Sequence, residues 1–166
     1  ISKDVLATLI RHREPIVGAA VGSGMSAAAA EAGGADLIMV LSAGHFRLQG
    51  ISSAAALLPY ANANDLTWEI ATRHVVPRVR ETPVFLGVCA QDPTLALDAH
   101  LDRAIQYGLA GVTNFPTVSF FGGEYREALE AGGEGFEREV EMLARAREKG
   151  LLAIGFCLNP TDAGAL

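Results

Sequence analysis

Five short apolar runs, amphipathic segments between them, and glycine or proline at the junctions predict an α/β fold of repeated strand–helix units. The runs do not alternate polar with apolar, which suits strands buried on both faces of a parallel sheet. Strands separated by helices require parallel pairing with right-handed crossovers. The leading architecture is the (β/α)8, or TIM-barrel, type, with about five βα units in this chain, fewer than the eight of a closed barrel. An open doubly wound sheet is the alternative, but Gly22-x-Gly24 lacks the third glycine of a dinucleotide-binding turn.

Each element follows from local pattern. Ser2 can cap a helix with the stripe Val5, Leu6, Leu9 and Ile10, which Pro15 stops. Strand one is expected over Ile16–Val21, and Gly22-Ser23-Gly24 turns the chain into an alanine-rich helix from Ser26 to Ala32, ended by Gly33-Gly34. Leu37–Leu41 is strand two, followed by a long loop through Tyr60. A helix from about Asn64 to Arg80 then turns Leu66, Trp68, Ile70, Ala71 and Val75 inward, with Pro77 kinking its last turn. Val84–Cys89 is strand three. The next helix should bury Leu97, Leu101, Ala104 and Ile105, and Gly108 ends it. Gly111–Phe115 is strand four. A helix from Phe136 to Lys149 should bury Phe136, Val140, Leu143 and Ala144, with the pairs Glu134–Arg138 and Glu141–Arg145 on its solvated side. Leu152–Cys157 is strand five.

The chain of 166 residues reads as a single domain, 1–166, and its net charge of −6 argues against general affinity for nucleic acid or an anionic membrane. Its two cysteines, Cys89 and Cys157, are expected as thiols rather than a disulfide. No apolar run reaches the roughly 20 residues of a membrane span, and no signal peptide is visible, so a cytoplasmic location is the default expectation. The chain starts at Ile1 rather than Met, and a truncated barrel is one reading of its length.

Several stretches carry a resemblance to a known family. Val17-Gly18-Ala19-Ala20-Val21-Gly22-Ser23-Gly24, Ala32-Gly33-Gly34-Ala35-Asp36-Leu37-Ile38 and Thr82-Pro83-Val84-Phe85-Leu86-Gly87-Val88 are similar to the TIM-barrel proteins named phosphoenolpyruvate hydrolase-like. More specific are Gly44-x-x-Arg47-x-x-Gly50-x-x-Ser53, Leu58-Pro59-Tyr60 and Asn114-Phe115-Pro116-Thr117-Val118, and the resemblance covers roughly residues 14 to 160. It implies a barrel like those of the phosphoenolpyruvate mutase and isocitrate lyase superfamily, a small anionic 2-oxo acid or phosphorylated substrate, and Mg²⁺ as cofactor. The Lys-Lys-Cys-Gly-His loop and the acidic metal cluster of those enzymes do not occur in this sequence, so the metal site is left open, with Asp92 as the one carboxylate placed just beyond a strand end.

In such barrels the loops after the strands form the active face. Gly22, Ser23 and Gly24 lead into a helix N-terminus, which favours an anion; the competing reading is a tight turn with Ser23 as cap. After strand two come Ser42, Gly44, His45, Arg47, Gly50, Ser52 and Ser53. Arg47 could hold a carboxylate or phosphate through its planar fork, or fix the loop through a salt bridge. Ser42 and Ser53 are taken with it as substrate-binding candidates. His45 is a proton-transfer candidate because imidazole exchanges protons near neutral pH.

Cys89 is a candidate nucleophile if a neighbouring base favours its thiolate, although a buried strand-end cysteine is usually inert. Asp92 is a candidate base or metal ligand, and before Pro93 it could equally cap the following turn. Asn114 and Thr117, polar in an apolar run, are binding candidates, with support of the loop backbone as the competing role. The expected function is a hydrolase or lyase in which Gly22–Gly24 and Arg47 hold the anion, Asp92 and His45 move protons, and Asn114 polarises a carbonyl. A non-catalytic ligand-binding or signalling barrel is the alternative. The open sheet edge of an incomplete barrel also predicts a homo-oligomer.

Overall fold

A computed structural model describes Thr8, Arg11 and residues 15–166. The expected helix on Val5, Leu6, Leu9 and Ile10, and His12 with it, lies outside the described residues. Five strands, β1 (Gly18–Val21), β2 (Leu37–Val40), β3 (Val84–Val88), β4 (Gly111–Asn114) and β5 (Leu152–Ile154), form one sheet in the order β1-β2-β3-β4-β5. Every pair is parallel. That order decides between the two architectures. A doubly wound sheet reverses its strand order at a switch point, whereas here each strand lies beside its predecessor, as in a (β/α)8 barrel.

The three central strands are covered on both sides, whereas β1 and β5 are only partly covered. Alternate strand residues Val21, Ile38, Val40, Leu86, Val88 and Val112 pack with Ala27, Ala71, Val75, Leu101, Ala104, Met142 and Ala146 from the helices. On the opposite face Leu41 and Phe115 cluster with Met39, Phe46 and Phe156, and Leu37 and Phe85 with Leu152 and Ile154. Burial on both faces explains why the strands read as unbroken apolar runs.

Seven α-helices accompany the described strands: α1 (Gly24–Ala32), α2 (Ser42–Leu48), α3 (Ala63–Glu69), α4 (Leu97–Gln106), α5 (Gly123–Ala131), α6 (Glu137–Glu148) and α7 (Pro160–Ala165). The segment after β2, expected as a long loop, is mostly helical: α2 starts directly at Ser42, and a 3₁₀ helix follows at Ser53–Leu57. The expected helix from Asn64 to Arg80 opens after α3 into a π-helical stretch, Ile70–Val75, then tightens into a 3₁₀ turn, Val76–Arg78, around Pro77.

Three further differences concern the helices α4 and α6. Ile105 is exposed at 41%, so the α4 face narrows to Leu101 and Ala104, with Leu97 half-buried. On α6 the buried stripe is Glu139, Met142, Leu143 and Ala146, while Ala144 is exposed. The expected Phe136 and Leu143 are buried and Val140 is half-buried, whereas the apolar count misses Glu139, Met142 and Ala146, the first because it is a carboxylate. Arg145 pairs with Asp98 on α4 and with Glu148, rather than with Glu141. The expected Glu134–Arg138 pair does form.

Candidate functional site

The carboxyl ends of β2, β3 and β4 point into one region. A cleft of about 400 Å³ lies there, bounded after β2 by Ala56, Leu57, Leu58, Pro59, Ala61, Asn62 and Ala63, by Cys89, Gln91 and Asp92 after β3, and by Pro116, Thr117 and Val118 after β4. Phe121 and the α5 residues Tyr125 and Leu129 close its far side. Of the residues singled out in the sequence, Cys89, Asp92 and Thr117 line this cleft.

Asp92 is held by a shell of donors. Its Oδ2 accepts from Asn62 Nδ2 at 2.8 Å and Asn64 Nδ2 at 3.0 Å, and its Oδ1 accepts from the Thr94 N–H at 2.9 Å and the Thr94 hydroxyl at 2.6 Å. Partial burial pushes this carboxyl upward, but the bonds from Thr94, Asn64 and Asn62 outweigh it and hold the pKa at about 2. Asp92 is therefore ionised at neutral pH and caps the turn over Pro93. Asn62, which caps α3, and the buried Asn64 were not picked out by sequence reasoning. The Asn62-Ala63-Asn64 run ahead of a helix was the available signal.

Asn64 also clamps the residue after β3. Its Oδ1 accepts from the Cys89 N–H at 2.9 Å and its Nδ2 donates to the Cys89 carbonyl at 3.0 Å. Burial pushes the Cys89 thiol up, and the nearby Asp92 and Glu139 carboxyls push it further. This environment disfavours a thiolate. Cys89 and Cys157 are both free thiols.

Behind the cleft wall sits Glu139, which is fully buried. It accepts from Gln91 Nε2 at 2.9 Å, from the Val118 N–H at 2.8 Å and from the Asn114 amide. Burial raises its pKa, opposed by hydrogen bonds from Thr117, Val118, Asn114 and Gln91. Asn114, 0% exposed, points to Glu139 and Phe156 and does not line the cleft. Thr117 caps the following 3₁₀ turn by accepting from the Ser119 N–H at 3.1 Å. Glu139 left no motif to find: it lies in the middle of an otherwise ordinary charged helix.

The remaining candidates stand apart from the cleft. Ser23 forms a reciprocal cap with Ser26, each hydroxyl accepting from the other's N–H at 3.2 Å. A Cβ on Gly22 would lie 2.1 Å from the Gly44 carbonyl carbon, and one on Gly24 would lie 2.3 Å from the His74 carbonyl oxygen. These glycines permit close backbone packing. Ser42 is buried, with no hydrogen-bond partner for its hydroxyl among the described residues. His45 contacts Gln49 through Nε2 at 2.6 Å. Arg47 donates to the Ser53 hydroxyl at 3.1 Å and the Ala20 carbonyl at 3.2 Å, so it ties the post-β2 segment to β1. Among the described residues no carboxylate forms an ion pair with Arg47.

The donor set does not suit a divalent cation. Among the described residues no group of three or more His, Cys, Asp or Glu side chains could hold a metal. Mg²⁺ requires several oxygen ligands in near-octahedral array, and both oxygens of Asp92 already accept two hydrogen bonds each. No helix among the described residues is long and apolar enough to cross a membrane.

Comparison with known proteins follows the same lines. A family model described as phosphoenolpyruvate hydrolase-like matches residues 2–166. Over 157 residues the chain is 45% identical to the ToMV resistance protein Tm-1(GCR237) of Solanum lycopersicum, covering 95% of this chain and 21% of that protein. It is 38% identical to the putative transcriptional regulatory protein y4pA of Sinorhizobium fredii, covering 95% and 26%. The chain thus spans about a quarter or less of the length of these curated relatives. In fold it is similar to a phosphoenolpyruvate phosphomutase from Streptomyces platensis subsp. rosaceus, with TM-score 0.56, 15% identity and coverage of 95% and 64%. A phosphonopyruvate hydrolase in complex with oxalate and Mg²⁺ gives TM-score 0.56, 14% identity and coverage of 99% and 67%. At these identities the likeness is one of fold, and it supports five successive units of the (β/α)8 type.

Proposed function

The chain belongs to the phosphoenolpyruvate hydrolase-like family, and from that premise we propose that its strand-end face binds a small 2-oxo acid or phosphorylated compound for hydrolase or lyase chemistry. One observation carries this reading: loops after three adjacent parallel strands converge on a single cleft at the carboxyl end of the sheet. That is where barrels of this type place their chemistry. Arg47, at the same end of the sheet, is the cation offered to the acid's charge, and its planar fork matches a carboxylate or phosphate. Asp92 supplies the cleft's ionised side chain, a fixed negative charge held by Asn62, Asn64 and Thr94, with Gln91 and Thr117 also in the cleft wall. No step is assigned to a metal, because the carboxylates present do not cluster into a site.

A specific observation favours a second reading, a binding module without turnover. Asp92 is saturated by donors, the Cys89 thiol is held protonated, and Asn114 is spent on structure. Calorimetric titration of the full chain with phosphonopyruvate, phosphoenolpyruvate and oxalate, alongside phosphorus NMR of the first two, separates the readings. Binding with release of phosphate or pyruvate supports the enzyme, binding without turnover supports the module, and no binding of any of the three overturns both.

A further inference from the structure

The cleft is chemically lopsided. Its polar end is made by Asn62, Gln91, Asp92 and Thr117, whereas Leu57, Leu58, Pro59, Phe121, Tyr125 and Leu129 line the rest. Among the described residues that line it, none is Lys, Arg or His, and the one charged group is the Asp92 carboxylate. An anion placed inside would meet a like charge and no cation. The acid's charge therefore belongs outside the cleft.

Arg47 supplies a place for it. This side chain is bonded to Ser53 at the start of the 3₁₀ helix Ser53–Leu57, and the far end of that helix, Ala56 and Leu57, is part of the cleft wall. At a rise of about 2 Å per residue the two ends lie about 8 Å apart. A three-carbon acid anchored at Arg47 does not fill the cleft as well.

The apolar walls are also incompletely covered by protein. Leu58 is 52% and Tyr125 60% exposed. An apolar group seated in the cleft would take part of these surfaces out of water, which favours its binding there. A volume of about 400 Å³ matches cavities that enclose substantial organic ligands rather than the smallest metabolites.

Resting on the family-based reading above, we infer that the acid recognised by this face carries a branched or aromatic apolar tail, seated against Leu58, Tyr125 and Leu129, with its charged end turned toward Arg47.

The test is a titration of the full chain with pyruvate, 4-methyl-2-oxopentanoate and phenylpyruvate, for the wild type, Leu129→Asp and Arg47→Ala. Leu129 lies on α5, which has no buried residue, so the substitution leaves the core intact. Affinity is expected to climb at least about tenfold from pyruvate to phenylpyruvate, since burial of each methylene adds about fourfold. Leu129→Asp removes that climb and leaves pyruvate binding within about twofold, and Arg47→Ala weakens all three acids alike. Equal affinity for the three acids, or a climb that survives Leu129→Asp, overturns the tail while the family-based reading stands. No binding of these three acids to the wild type overturns the tail, and the family-based reading falls with it only if phosphonopyruvate, phosphoenolpyruvate and oxalate also fail to bind.

Discussion

The side chain of Asn114 takes both backbone groups of Phe156: its Oδ1 accepts from the Phe156 N–H at 2.6 Å, and its Nδ2 donates to the Phe156 carbonyl at 2.9 Å. The β4–β5 ladder runs through Thr113 and Ile154 and stops there. One rung on, an amide side chain stands in for a strand, which is why β5 ends at Ile154 rather than at the expected Cys157. Asn64 treats Cys89 in the same way at the end of β3. Two asparagines thus finish two strands and set the path of the chain onto the strand-end face.

Replacing Asn114 with Leu, which keeps the branching and heavy-atom count and removes the amide, should cost about 3 kcal/mol. Both backbone groups of Phe156 lose a partner, and so does the buried Glu139. Urea unfolding of the two proteins measures the difference. A loss below about 1 kcal/mol would mean that water replaces the amide and that Asn114 is not structural.

Gly22 and Gly44 make a second prediction. A methyl on Gly22 meets backbone atoms of Gly44 and His45 at 2.1–2.5 Å, and backbone cannot rotate out of the way as a side chain can. Gly22→Ala should destabilise by about 3 kcal/mol, at the upper end of overpacking costs. Gly164→Ala serves as the contrast: nothing lies within 4 Å of its new Cβ, its φ is not positive, and it sits in α7. Thermal unfolding should show it neutral or slightly stabilised. Equal effects at the two positions would refute the steric account.

The strands and their parallel pairing were legible in the sequence because apolar runs and glycine punctuation record them directly. The cap at Ser23 and the turn at Asp92 were legible for the same local reason. Glu139 was not, since its partners Gln91, Asn114 and Val118 lie 21 to 48 residues away and only the fold brings them together. The roles of Gly22 and Gly24 were half legible. Glycine at a βα turn signals either an approaching anion or an approaching backbone, and here the Gly44 and His74 backbones are what approach. The helix α5, with no buried residue and a high charge content, left no apolar stripe to read.

Glu31 gives a prediction in pH. From the end of α1 its carboxylate accepts from the N–H groups of Arg80, Glu81 and Thr82 just before β3. The bonds from Thr82 and Glu81 are the main reason its pKa falls from 4.5 to about 2. A depressed carboxyl contributes stability that is present above its unfolded pKa and is lost as pH falls through the folded value. Glu31→Gln should therefore cost about 1 kcal/mol at pH 7, a figure kept small because solvent screens the group. The gap between the two proteins should close between about pH 4.5 and pH 2, as followed by urea midpoints at fixed ionic strength. A gap that is constant across that window would show that packing, not charge, is what the substitution removes.

Cys89 decides how far nucleophilic chemistry belongs in the reading. Burial, Asp92 and Glu139 all push its thiol upward, and Asn64 fixes the backbone that carries it. Alkylation depends on the thiolate fraction, so Cys89 should react with iodoacetamide at pH 7.5 at least about tenfold more slowly than an unstructured cysteine peptide. Asp92→Asn removes one of the charges opposing the thiolate and should speed the reaction, by a few-fold at most because burial is the larger cause. Peptide mass spectrometry over a time course reads both rates at this one residue. Fast labelling of Cys89 in the wild type would instead reveal an activated thiol, return it to the list of catalytic groups, and weaken the binding-module reading.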